Sequence, residues 1–244
     1  TMKLTVRRAA AAVTAGIFLL GTWLLYRQEF PALRTETEKA AVTADYVKPS
    51  GIVILRDAAR EGYRVMTFTD GTGQLLGNIQ FRRGILGGWQ PVRASYTYGD
   101  AVGTDTVGDT DLLIVYANGC PAEAVHYKVQ ANPDNPGTLM AEGDVTEPCF
   151  LHIYETDRKF FPAIHLYDRE GRELDWGEYQ KSSGSASVGS AEINLVYWLC
   201  ALLLGVGWLA VKYLWDQGKM AEPSAGSAGE QDALCERNCG KLGE

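Results

Sequence analysis

The stretch INLVYWLCALLLGVGWLAV, residues 193–211, carries no charged side chain. A bilayer core of roughly 30 Å is crossed by about 20 apolar helical residues, and this run is that long. A core helix of a globular domain keeps a polar stripe on its outer side, and none is visible here. Tyr197 and Trp198 stand near one end, with Trp208, Tyr213 and Trp215 near the other. Aromatic side chains gather in this way at the two interfaces of a membrane. The sequence therefore predicts a transmembrane helix over 193–211.

A second uncharged run, AAAAVTAGIFLLGTWLLY, covers 9–26 and follows Lys3, Arg7 and Arg8. Cleaved signal peptides have an apolar part of about 7–15 residues closed by an A-x-A-like site. This run is longer, and the nearest such site, Val42-Thr43-Ala44, lies far downstream. The expectation is an uncleaved signal anchor. Basic residues stay on the cytoplasmic side. Residues 1–8 are then cytoplasmic, the chain crosses at 9–26, and it returns at 193–211 with Lys212 and Lys219 again inside. Residues 27–192 face outward. They contain no N-x-[ST] sequon, which favours a bacterial envelope over a glycosylating pathway. The pairs Ala12/Gly16 and Ala201/Gly205 offer small faces on which membrane helices pack closely.

In the outward segment, Pro31 suits a first helical turn, and the helix formers after it predict a short helix over about 32–44, inside a juxtamembrane stretch of residues 27–45. From 46 to 177 the pattern changes to short alternating runs. YRVMTFTD and QLLGNIQFRR flank the hairpin signal DGTG at 70–73. WQPVRASYTYG, DLLIVYA, EAVHYKVQA, TLMAEGDVT, CFLHIYET, AIHLYDR and RELDW follow, separated by turn-forming clusters. Residues 100–111, DAVGTDTVGDTD, read as a loop. The implied fold class is an all-β extracytoplasmic domain flanked by two transmembrane α-helices, the domain being a sandwich or partly open barrel of about 8–9 antiparallel strands. Residues 178–192, which include KSSGSASVGS, read as a flexible Gly/Ser linker. Residues 212–244 have too little apolar content to fold alone and read as a disordered cytoplasmic tail.

Between Arg27 and Glu192 there are 24 acidic and 16 basic residues, a balance of −8. Phosphate binding needs a basic face, so this balance argues against nucleic acid as a partner. It argues equally against docking on anionic lipid headgroups. The chain carries no Walker A, G-x-G-x-x-G, H-E-x-x-H or G-x-S-x-G motif, and no cofactor is implied.

The candidate site residues are few. His126, His152 and His165 lie in predicted strands and point away from the Val/Ile/Leu face. If residues 157–160 close a hairpin, His152 faces His165, and two imidazoles across a strand pair can hold a transition metal. Asp100, Asp105, Asp109 and Asp111 offer oxygens for calcium, although Asp in a turn is explained by local hydrogen bonds. Cys235 and Cys239 supply half of a zinc site in the tail. Cys120 and Cys149 lie in the outward segment, where disulfides persist. Strands that alternate up and down bring both to one end of the domain. Trp89, Tyr96, Tyr98 and Trp176 are candidates for a ligand surface.

These observations point to a membrane-anchored, non-catalytic binding, sensing or scaffold module of the cell envelope. Its partners are the lipid bilayer, through two spans, and an unidentified envelope or membrane protein. The alternatives are an accessory subunit of a membrane complex and an envelope-glycan enzyme working through paired carboxylates.

Overall fold

The computed structural model describes residues 2–220 apart from 100, 109, 132–137, 157–161, 175–182 and 188–189. Among the described residues there are three helices: α1 (Met2–Glu29), α2 (Glu36–Tyr46) and α3 (Ser190–Met220). The chain divides into two units, Thr1–Tyr26 with Tyr197–Glu244, and Arg27–Val196.

The first unit pairs α1 with α3. Thr5–Glu29 and Asn194–Asp216 are long and apolar enough to cross a membrane, and only 11% of each apolar window is buried. A core helix would be mostly covered, so this exposure is compatible with two membrane spans. The helices run antiparallel. Arg8 lies over the ring of Trp215, 5.6 Å from its centroid, and the Tyr26 and Tyr197 rings are 6.5 Å apart. Between these ends, the backbone at Gly207 meets Phe18 so closely that a Cβ there would lie 2.7 Å from its side chain. A Cβ on Gly16 or Gly205 would have no neighbour within 4 Å. The small residue at this contact is therefore Gly207, outside the two pairs expected from the sequence.

The second unit holds three antiparallel sheets. The first sheet has the order β1 (Val53–Arg60), β2 (Tyr63–Thr69), β3 (Leu75–Arg83), β4 (Trp89–Tyr98) and β12 (Ser183–Ser187). The middle sheet is β5 (Val102–Thr106), β6 (Leu112–Ala117) and β9 (Phe150–Glu155). The third is β11 (Glu173–Leu174), β10 (Pro162–Tyr167), β7 (His126–Ala131) and β8 (Leu139–Asp144). None of the three closes on itself, so the fold is not a closed barrel. The sheets meet face to face instead.

The reason is written in β6. Its sequence LLIVYA is buried at every position, as befits a strand covered on both faces. Leu112, Ile114 and Tyr116 pack with Val65 and Leu76 of the first sheet. Leu113, Val115 and Ala117 pack with Tyr127, Val129 and Leu166 of the third. The other face of the first sheet is covered by the chain that follows α1. Leu33, Val42, Tyr46 and Val47 lie against Met66, Phe68, Leu75, Ile79 and Phe81.

α2 starts at Glu36, later than the sequence suggested. Leu33 adopts a left-handed φ of 52°, and Thr35 caps the helix in a reciprocal capping box with Glu38. Backbone N–H groups of Arg34 and Thr35 hold the Glu38 carboxyl below its usual range. The buried Lys39 ammonium reaches Glu36 at 2.5 Å and Asp57 of β1 at 2.7 Å. Asp57 also takes a two-pronged bond from Arg64. This ion cluster fixes α2 to the first sheet.

Two other departures concern segments expected to be irregular. The 100–111 loop contains β5, whose residues pair with β6 from Val102↔Ala117 to Thr106↔Leu113. Within the expected linker, Ser183–Ser187 pairs with β4 as an edge strand. The open edge of β4 supplies a row of backbone groups that any extended, small-residue segment can satisfy.

Candidate functional site: an acidic cleft across three sheets

The ends of all three sheets frame an open cleft of about 810 Å³. The first sheet contributes Glu61, the middle sheet Thr110, Asp111, Leu112, Glu155 and Thr156, and the third Leu139 and Met140.

Glu61 is placed there by the β1–β2 turn. Glu61 and Gly62 both have positive φ, 51° and 79°, the geometry of a type I′ hairpin turn. Gly adopts it freely, but a side chain in the left-handed region costs roughly 1–2 kcal/mol. Asn or Gly is the usual residue there. A strained residue is a reason to look for function, and this one carries its carboxylate to the rim.

The opposite rim is the β5–β6 turn. The Thr110 hydroxyl donates to Val107 O at 2.5 Å and accepts from Leu112 N at 3.2 Å. Thr156 N donates to Asp111 O at 2.7 Å, tying this turn to the end of β9. Arg60 binds the Glu155 carboxylate and donates to Ile153 O at 3.1 Å. Three acidic residues, Glu61, Asp111 and Glu155, line the cleft beside an apolar floor of Leu112, Met140 and the half-exposed Leu139, and Arg60 pairs with Glu155 and, at 3.8 Å, with Glu61. The cleft suits a ligand that is cationic at one point and apolar at another.

The sequence-derived candidates fall elsewhere. β9 pairs with β6 and β10 with β7, so His152 stands opposite Val115 and His165 opposite Lys128. The two histidines do not face one another across a hairpin. Residues 157–160, the expected turn, lie outside the described residues. His165 Nδ1 sits 2.6 Å from Glu173 Oε1, and His126 Nδ1 sits 3.0 Å from Asp144 Oδ1. His152 lies between the middle and third sheets, stacked with Phe150 and Tyr127. Its burial lowers its pKa. Among the described residues, no group of three or more His, Cys, Asp or Glu is placed to hold a metal ion.

Asp100 and Asp109 lie outside the described residues. Asp105 points inward, between the first and middle sheets. Its Oδ1 accepts from Thr106 N at 2.8 Å and pairs with Arg93 at 3.0 Å. Its Oδ2 accepts from Ser95 Oγ at 3.0 Å and Asn78 Nδ2 at 3.3 Å. Asn78 also donates to Tyr116 Oη at 3.0 Å, and Gln80 donates to Thr106 O at 2.9 Å. The carboxylate is committed to holding two sheets together.

Cys120 and Cys149 do reach one end of the domain: Cys120 N donates to Pro148 O at 2.9 Å. Both are free thiols. Burial pushes the Cys120 thiol up to about 11. Cys149 Sγ points to Asn118 Oδ1 at 3.6 Å. Cys235, Cys239 and Trp176 lie outside the described residues. Trp89, Tyr96 and Tyr98 pack on the core beneath α2.

Sequence reasoning missed the cleft because its parts are far apart in the chain. Glu61-Gly62 becomes a signal only once the hairpin is known, as an ill-suited residue in a tight turn. Compared with protein-family models, curated proteins and solved structures, the chain has no significant match, so its function is read from its own geometry.

Proposed function

We propose that this protein is a membrane-anchored, non-catalytic binding module of the cell envelope. In this reading both chain ends lie in the cytoplasm, residues 27–192 lie outside, and the cleft takes a cationic ligand with an apolar portion, such as an amine-bearing peptide. The observation that carries it is Glu61. A strained turn residue holds a carboxylate at the mouth of a cleft that all three sheets help to build. Natural sequences retain such costs chiefly where function needs them.

The test uses the full-length protein in lipid nanodiscs and a short peptide pairing lysine with leucine. Binding should weaken as salt rises. Glu61→Asn removes the charge and suits the turn. It should raise stability by roughly 0.5–1 kcal/mol and weaken peptide binding about fivefold. Equal binding of an acetylated, uncharged peptide would overturn the reading. Turnover of an envelope glycan, abolished by Asp111→Asn, would establish the enzymatic alternative instead.

A further inference from the structure

The β3–β4 hairpin has the sequence Arg82-Arg83-Gly84-Ile85-Leu86-Gly87-Gly88-Trp89. Ile85 and Leu86 are 81% and 76% exposed. Both exceed every large apolar side chain on the two membrane-length helices, where Trp198 is highest at 74%. A globular domain has no reason to hold two adjacent aliphatic side chains in water at the tip of a tight hairpin. The tip is also defined: Gly87 N donates to Gly84 O at 3.0 Å, and Gly84 N to Gly88 O at 3.1 Å.

The hairpin is bound to the chain just after α1. Trp89 N donates to Pro31 O at 2.9 Å. Gly88 lies so close that a Cβ would come within 2.2 Å of Phe30 O. Phe30 itself is only 2% exposed. It follows the last residue of α1 and stands four residues beyond Tyr26, the end of the uncharged run. At 1.5 Å per helical residue that is about 6 Å, close to the depth of one headgroup layer. The base of the hairpin is thus bonded to the chain within five residues of the end of the uncharged run.

Charge agrees. Residues 71–99 contain no Asp or Glu, while Arg82 and Arg83 precede the apolar tip and are exposed. This is a basic, acid-free island in an outward segment whose balance is −8. Arginine forks pair well with phosphate, and an apolar tip next to two of them is the composition of an interfacial anchor.

We propose that the Arg82–Trp89 hairpin is a lipid anchor. Ile85 and Leu86 enter the headgroup–acyl boundary of the same bilayer, and Arg82 and Arg83 bind phospholipid phosphates. The proposal rests on the reading of α1 and α3 as spans. It makes the domain a three-point membrane protein, with its position set by a loop as well as by two helices.

Photocrosslinking in vesicles of phosphatidylcholine and phosphatidylglycerol tests it on the full-length chain. A benzophenone amino acid replaces Leu86, Leu202 in α3, or Glu170 in the turn before β11. Phospholipid adducts, read by mass, should form at 86 and 202 and not at 170. Arg82→Gln combined with Arg83→Gln should cut the adduct at 86 several-fold and leave that at 202 unchanged. A lipid adduct at 202 without one at 86 would overturn the anchor and spare the spans. No adduct at either would overturn both. A protein adduct at 86 would also overturn the anchor, making the tip a docking point for a chain.

Discussion

The two faces of the middle sheet are covered in opposite ways. Toward the first sheet the contact includes a polar set: Asn78, Gln80, Ser95 and Arg93 converge on Asp105. Toward the third sheet it is apolar, Leu113, Val115, Ala117, Val129 and Leu166 around Tyr127, with one short polar line running Tyr127, His152 and Tyr154. One interface is specified by a charge that many donors share. The other is specified by shape. Gly143 shows the fit: a Cβ there would come within 2.6 Å of the Tyr127 hydroxyl and 2.7 Å of that of Tyr154. Buried polar sets are costly when partly satisfied and rigid when complete. The first interface should therefore fail abruptly and the second gradually.

The largest effect should come from Asp105→Ala. It removes the acceptor shared by Ser95, Asn78 and Arg93. Loss of a shared, charge-assisted acceptor should cost about 3 kcal/mol or more. Chemical unfolding of the full chain in micelles measures it, with Asp105→Asn as the milder companion. The amide keeps one acceptor oxygen but turns a donor toward the donors of Asn78 and Gln80, so it should recover only part of the loss. A cost below about 1 kcal/mol for the alanine variant would mean that shape holds this interface too.

Tyr127→Phe is the matching probe on the other face. It keeps the ring that stacks on Phe150 at 5.3 Å and deletes one hydroxyl. The expected cost is about 1–3 kcal/mol, smaller than for Asp105→Ala, because Tyr154 retains Glu142 O at 3.2 Å. If the phenylalanine variant proves the more damaging of the two, the contrast between the faces is reversed.

The same contrast explains how much of the fold was legible. Helices α1 and α3 announce themselves by composition, and the β1–β4 meander by its alternation and turns. What escaped was the stacking. LLIVYA was visible as an apolar run, but that one strand separates two cores follows only from which sheets cover it. With β6 in the middle, β9 must pair beside it while β10 joins β7, so the histidine hairpin that looked natural in one dimension does not form. Asp105 looked like a loop residue because alternation around Gly103 and Gly108 is broken. β12 was hidden because serine and glycine carry no strand signal. Its placement comes from a vacant sheet edge elsewhere in the chain. The cleft was least legible of all, being assembled from three sheets whose contributing residues lie far apart in the chain.

The smallest expected effect is a dependence on pH that belongs to the apolar face alone. Tyr127 Oη lies 2.5 Å from both His152 Nδ1 and Tyr154 Oη, and Tyr154 donates to Glu142 O. Proton counting allows one arrangement in which every group is served. His152 Nδ1–H donates to Tyr127, Tyr127 donates to Tyr154, and Tyr154 donates to the carbonyl. The neutral imidazole then carries its proton on Nδ1, which nitrogen-15 NMR of the labelled protein reads directly. Burial opposes a second proton and places the folded pKa below the ordinary 6.5. As pH falls, the unfolded chain is protonated first, so stability is full above 6.5 and declines below it until the folded state also binds the proton. Burial pushes the Tyr127 hydroxyl well above its ordinary value. The difference in unfolding free energy between the parent chain and His152→Gln should therefore shrink between pH 7 and pH 5. Should it stay constant, or should the proton be found on Nε2, the line between the middle and third sheets is not a relay, and the contrast between the two faces reduces to packing alone.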